Sequence, residues 1–366
     1  MKIKLLKLDD GIYSEAMSKG ITINQFLEDL YAKESGEESL YLGLSPVEVY
    51  RLKKLLKAAG KEVPLDAFEK QLAALDIRAF GPQTDPLSKF FATAAGTSLF
   101  PVYVSNSVFA GLMLAGLVPE FAAQTEVVPP GTTVFQKPQM DDAEADRQTR
   151  LTSEGQEFPE TKITLSDHSI PVRKFGRYLA ASYEALSAQK LNVVGLMLQR
   201  IGVQIAIDDT DDMINVLING DGNSNTPATT VQTVTTNVIA VQDVIAWAIG
   251  LPSPYKLDKF VGRKALLAEY YGTLAGMNNP SDQFGFIGIS LPKSFEWNRA
   301  VYGSGIVDLF VGVDSRYAFL HVTTGAIMTE SERLIRKQLQ GTAVSYRSGK
   351  VVLDPNAVGL FDETHT

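Results

Sequence analysis

The sequence predicts an α+β protein assembled from several structural units, and three observations predict it. From Leu191 onward, apolar residues recur at three- and four-residue steps over an unusually long stretch, the signature of a long helix. Just before it, alternation around Ile163 and Leu165 marks a two-stranded ribbon. After residue 237, helical and strand patterns alternate, and the chain closes in stretches rich in β-branched residues. With 366 residues the chain exceeds what one compact core organises, so two or three units are expected.

Residues 1–80 read as a small helical region. Ser45-Pro46-Val47-Glu48 supplies a cap, a proline at the first helical position and an acid at the third; Val49, Leu52, Leu56 and Ala59 follow before Gly60. Pro64 opens a further helix bearing Leu65, Phe68, Leu72 and Leu75, and Thr22 to Lys33 forms another with Phe26, Leu27 and Leu30. Alone such a unit is only marginally stable. Residues 81–126 contain Gly81-Pro82, Asp85-Pro86 and Gly96-Thr97, which read as breaks, so an extended arm and then a short helix over Phe109 to Val118 are expected.

Residues 127–178 begin at Pro129-Pro130-Gly131 and hold a polar tip from Asp141 to Arg147 with almost nothing to bury. From Thr161 the pattern alternates, Ile163 and Leu165 opposing Lys162 and Thr164, and Ile170 and Val172 follow the Asp167-His168-Ser169 turn. A lone hairpin buries too little to offset its ordering entropy, so this ribbon needs a support, and an identical chain is the natural one.

After Tyr178 a helical pattern begins, with Ser182 as cap, Glu184 in the first turn and Leu186 beyond. Val194, Leu198, Ile201 and Ile205 form the packing stripe of the long helix, followed by Met213, Val216 and Leu217. The roughly 28 positions from Leu191 to Ile218 make a rod of about 42 Å, which Asn219-Gly220 ends. Asp221 to Thr236 reads as a polar loop. Val238–Ile249 and Lys264–Leu274 read as helices, and Phe284–Leu291 and Ile306–Val313 as strands. Glu330 to Leu360 reads as strands, with Arg347-Ser348-Gly349-Lys350 turning between two of them.

Net charge is −8, which disfavours a broad basic face that grips nucleic acid by counterion release, although an acidic wall can surround nucleic acid without holding it. Cysteine is absent, which removes disulfides, thiol nucleophiles and cysteine zinc sites. The lysine-interrupted N-terminus has no signal-peptide core, and the longest apolar stretch, Val108 to Val118, is about 11 residues against the ~20 of a spanning helix. No membrane association is expected.

Candidate chemistry is sparse. Asp208-Asp209-Thr210-Asp211-Asp212 lies within the long helix, where Asp208 shares a face with Asp211 or Asp212; a divalent-ion site, and with it a metal-dependent α+β hydrolase, competes with a solvated or interface-facing surface, which is preferred. Asn219 to Asn225 alternates oxygen ligands as a calcium loop does, but lacks the sixth-position glycine and has Thr230 where an acid would close the cage, so a helix-ending turn is preferred. His168 beside Asp167 and Ser166 is a coincidence of sequence. With neither a phosphate-cradling loop nor a dinucleotide fingerprint, no catalytic residue, cofactor or metal is assigned.

The order of parts resembles the major capsid proteins of tailed bacteriophages and prophages with the Hong Kong 97-type fold. Gly155-Gln156-Glu157-Phe158-Pro159-Glu160-Thr161-Lys162-Ile163-Thr164-Leu165, followed by Arg177-Tyr178-Leu179 and Ser182-Tyr183-Glu184-Ala185-Leu186, resembles the return strand of that family's extended loop and its lead into the spine helix. Ile218 to Gly222 is similar to the end of the spine helix, and Ala343 to Arg347 with Asp354 to Ala357 to the closing strands of the peripheral domain. The resemblance covers about residues 95–362 and lies in order and spacing.

It implies a helical, scaffold-like region retained at 1–80, an N-terminal arm and short helix at 81–126, and an extended loop at 127–178. The peripheral domain with the spine helix would comprise 179–224 and 328–366, and the axial domain 225–327. Asp141, Asp142, Glu144, Arg147, Arg150 and Lys162 of the loop would then contact neighbouring subunits. The implied product is an icosahedral shell of hexamers and pentamers around double-stranded DNA, with a portal and decoration proteins as partners, formed in the host cytoplasm and ending in the virion. An encapsulin-like nanocompartment shell is the nearest alternative. Lys137, Lys162 and Asn356 are of the residue types some family members join covalently, but no local motif identifies such a bond here.

Overall fold

The computed structural model describes residues 4–6, 8, 11–36, 39–81, 83–129, 131–140, 163–165, 169–182, 189–223, 225–227, 229–275, 292–297, 309–325, 327–334 and 339–363. Helices α1 (Gly11–Ser18), α2 (Ile23–Ser35), α3 (Pro46–Ala58) and α4 (Ala67–Ala74) come first. The capping box at Ser45 is present, the Glu48 carboxylate accepting from the Ser45 amide at 2.8 Å. The last of the four starts after Asp66 rather than at Pro64, because the Asp66 side chain accepts from the Glu69 amide at 2.7 Å.

These helices share one core with the body of the protein. Phe26, Leu27, Phe68 and Leu72 are buried in the same cluster as Leu99, Tyr103 and Val108 of α5 (Ala94–Ala115). Within the arm and short helix expected over 81–126, this 22-residue helix replaces the arm from Ala94 onward, taking in Gly96, Pro101 and most of the short helix expected at Phe109–Val118. An interior proline costs ~3 kcal/mol, yet burial of Leu99, Val102 and Tyr103 around it returns ~1.5–3 kcal/mol each. A single turn, α6 (Val118–Phe121), follows.

The spine, α7 (Leu191–Asn219), has 29 residues and ends where Gly220 takes φ +79°. Its contact with α5 is backbone on backbone: a Cβ added to Gly202 would stand 1.9 Å from the Val108 carbonyl oxygen, and one on Gly111 2.0 Å from that of Gln199. Both helices are long and apolar enough to cross a membrane by length and composition, contrary to the shorter stretch read from the sequence. Core helices share that property, and 67% of the apolar window of α5 is buried inside the protein.

Two five-stranded sheets flank the spine. The first joins β1 (Gln124–Val127), β6 (Arg173–Ser182), β11 (Phe319–Thr323), β12 (Met328–Leu334) and β13 (Leu339–Val352) in the order β1-β11-β13-β12, with β6 also on β13. The expected turn at Arg347–Lys350 is therefore absent: β13 runs straight through, held at Ser348–Val352 by β11 and at Leu339–Ser348 by β6. The same pairing keeps the chain extended as far as Ser182, Tyr178 facing Ala343, and the first turn expected at Glu184 and Leu186 lies outside the described residues.

The second sheet has the order β7-β14-β10-β8-β9. Its strands are β7 (Thr229–Gln232), β8 (Lys259–Gly262), β9 (Lys293–Glu296), β10 (Leu309–Val313) and β14 (Val358–Asp362). Helices α8 (Val241–Ala248) and α9 (Lys264–Ala275) pack with it around Trp247, Phe260, Tyr270, Phe310 and Phe361. The sheets cross the expected boundaries of the 225–327 unit, since β11 joins the first sheet and the C-terminal β14 completes the second. The strand expected at Phe284–Leu291 lies outside the described residues.

Candidate assembly surfaces and a buried charge cluster

The ribbon leaves the first sheet through β6 and consists of two short pairs, β2 (Val134–Phe135) with β5 (Ile170–Pro171) and β3 (Pro138–Met140) with β4 (Ile163–Leu165). Its base is anchored. Ile170 and Val172 are buried with Val128, Leu320, Val322 and Val351, and the Lys137 ammonium donates to the Leu353 carbonyl at 3.0 Å. Val134, opposite Pro171 at the base, and Leu165 further out are exposed, and among the described residues neither pair gains a third strand. Asp141, Asp142, Glu144, Arg147, Arg150, Lys162 and His168 lie outside the described residues.

On the spine, Leu198 and Ile205 are buried and Val194 and Ile201 half-buried against the core shared with α5. The helix carries a second apolar stripe that the sequence reading did not single out. Val193, Leu196 and Met197 point outward, Leu196 62% and Met197 58% exposed, although three- and four-residue spacing places them on one face. A helix apolar on two sides needs two partners.

The acidic run of the spine is not a solvated surface. Asp209, Asp211 and Asp212 are 4%, 1% and 7% exposed. Lys350 of β13, itself buried, donates to Asp209 and, at 2.9 Å, to Asp212; Arg173 of β6 also donates to Asp212. Asp211 accepts from the Trp297 indole at 2.7 Å. The chain thus folds two basic strand residues over acids one helical turn apart, and a buried pair of this kind holds only because each charge is matched. The acids considered for a metal-dependent hydrolase are thus engaged within the fold, Asp209 by Lys350, Asp212 by Lys350 and Arg173, and Asp211 by Trp297.

His321 lies beside this cluster, its Nε2 3.1 Å from the Ser348 hydroxyl. Burial pushes its imidazole down to about 4, against an upward pull from Asp209, with Lys350 adding to the fall. At the far end of the spine, Asp221 spends its carboxylate on protein donors: the Asn223 amide at 3.2 Å and the Val352 amide at 2.9 Å. That is the geometry of a helix-ending turn rather than an ion cage.

No protein-family model matches the chain, and no curated protein does. Solved structures similar to it include the capsid of an empty GTA particle, at 16% identity over 68% of this chain and 89% of that one, with a TM-score of 0.46. The capsid of Myoviridae phage XM1 is similar at 16% identity over 68% and 92%, with a TM-score of 0.43. The holo-SrpI encapsulin complex of Synechococcus elongatus is similar at 13% identity over 68% and 86%, also with a TM-score of 0.43.

Proposed function

We propose that this chain is a structural subunit that self-assembles into a closed icosahedral shell enclosing phage DNA. The observation that carries the reading is unfinished burial: a ribbon with exposed Val134 and Leu165 and a spine with exposed Val193, Leu196 and Met197. Such faces are covered when a ribbon lies across the next copy, and head-to-tail contacts of this type close into rings. The extended-loop residues Asp141, Asp142, Glu144, Arg147, Arg150 and Lys162 supply the charged part of that contact, and Val194, Leu198, Ile201 and Ile205 keep the spine rigid beneath it. Pentamers and hexamers, a portal and decoration proteins complete the virion on this reading. The net charge of −8 suits an inner wall that encloses DNA without gripping it.

Negative-stain microscopy of the purified protein, with extraction of whatever the particles contain, tests the proposal. Large closed shells, and nucleic acid within them when they come from infected cells, are expected. Small discrete oligomers would overturn the shell, and shells filled with a protein cargo would replace phage DNA with the nanocompartment reading.

A further inference from the structure

Lys350 of β13 is the one lysine or arginine buried among the described residues. Its Nζ donates to Asp209 Oδ1 and, at 2.9 Å, to Asp212 Oδ2, and lies 5.2 Å from the centre of the Phe175 ring. Buried Tyr346 and His321 stand close enough to feel the Asp209 charge. In water an ammonium facing a carboxylate is unreactive. Burial changes that, because separated charge is costly away from solvent, and one proton moved from Lys350 to Asp209 leaves a neutral amine facing a neutral acid. A desolvated lysine amine is a nucleophile.

The two acids are not equivalent. Asp212 has both oxygens engaged, Oδ1 by Arg173 and Oδ2 by Lys350. Asp209 has Oδ1 on Lys350, whereas no donor among the described residues reaches its Oδ2, which is therefore free to leave. Asp209 also lines a cavity of about 430 Å³ between α3, α5 and β11, ample room for a released water.

We infer that Lys350 and Asp209 condense into an internal amide, with Asp212 as the catalytic acid–base group. The neutral Nζ attacks Cγ of Asp209 and forms the N–C bond, and Asp212 takes one of the two protons left on nitrogen. Asp212 returns that proton to the Asp209 hydroxyl as its C–O bond breaks, so one water departs, nothing is oxidised or reduced, and no co-reactant enters. Charge stays matched throughout: the amide removes one acid and one base together and leaves Asp212 with Arg173. Because only the fold brings these residues together, the ion pair is the starting state and the bond forms after folding. It ties the spine to β13 across 141 positions of sequence.

Intact-mass measurement of the full-length chain, denatured after prolonged incubation at neutral pH, tests this. A mass one water below that of the sequence is expected, with fragmentation joining the peptides that hold Lys350 and Asp209. Lys350→Arg should restore the full mass, and Asp212→Asn should lower the linked fraction at least about tenfold. Asp209→Asn should still link, losing ammonia in place of water, which identifies position 209 as the acyl group even if Asp212→Asn fails to fold. An aged parent chain of full mass, a water loss that maps to other residues, or undiminished linkage in a folded Asp212→Asn would each overturn the inference.

Discussion

Replacing Gly202 by alanine probes the closest approach in the molecule. The added Cβ would lie 1.9 Å from the Val108 carbonyl oxygen and 2.8 Å from the Leu112 nitrogen, both rigid helical backbone. Ordinary van der Waals contact requires a retreat of roughly 1.5 Å between α5 and α7, and a gap of even 0.5–1 Å forfeits a quarter to a half of each dispersion contact. Overpacking of this kind costs ~1–3 kcal/mol and sometimes more; with immovable backbone on both sides the upper end applies. Alanine recovers ~1 kcal/mol of helix propensity, leaving a net loss of about 2 kcal/mol. Gly272 in α9 is the internal control, because nothing lies within 4 Å of its added Cβ. There the same change should stabilise by ~0.5–1 kcal/mol. Urea unfolding followed by tryptophan fluorescence measures both, since Trp247 is buried in the second sheet's core and Trp297 binds Asp211. Should Gly202→Ala be as stable as the parent while Gly272→Ala behaves as expected, the backbone contact between the two helices is wrong.

Lys350→Met leaves buried Asp209 with no basic partner and Asp212 with Arg173 alone, and should cost ~3–5 kcal/mol, most of it recovered when Asp209→Leu and Asp212→Leu are added; urea midpoints of the single and triple variants check this. His321 is held at about 4 when folded against 6.5 when free, so its contribution is complete above pH ~6.5 and is lost as pH falls toward 4. The loss amounts to about 3 kcal/mol, and His321→Gln should show a correspondingly shallower fall in stability between pH 7 and 4. Leu196→Ser with Met197→Ser alters only exposed side chains, so the melting temperature should hold while light scattering shows particle formation suppressed. Removing residues 141–150 should likewise leave circular dichroism and solubility intact and abolish shells.

The spine was legible to within a residue, because a 3.6-residue apolar period followed by Asn219-Gly220 is a local signal. The cap at Ser45 was equally local. The helix α5 was not legible: buried on nearly all sides, it has no polar face to give it a period, and Gly96 and Pro101 imitate breaks that its surroundings override. The strand β13 was obscured in the same way, since Ser348 and Gly349 look like a turn until two partner strands pair across them. The charge cluster depends on Lys350 meeting Asp209 and Asp212 across a separation in sequence of more than a hundred residues, which no spacing rule encodes. Alternation of Lys350 with the apolar Val351 in a β-branched run was the one hint, and reading that run as a turn concealed it.

Sedimentation velocity of the purified protein over a range of concentrations reaches the central claim most directly, because it asks whether a single copy is complete. A chain that finishes its burial only on identical neighbours should pass from subunits or capsomers to one large, fast-sedimenting closed particle as concentration rises. A single boundary at the 39.9 kDa of one chain, unchanged at every concentration and salt condition, would contradict it.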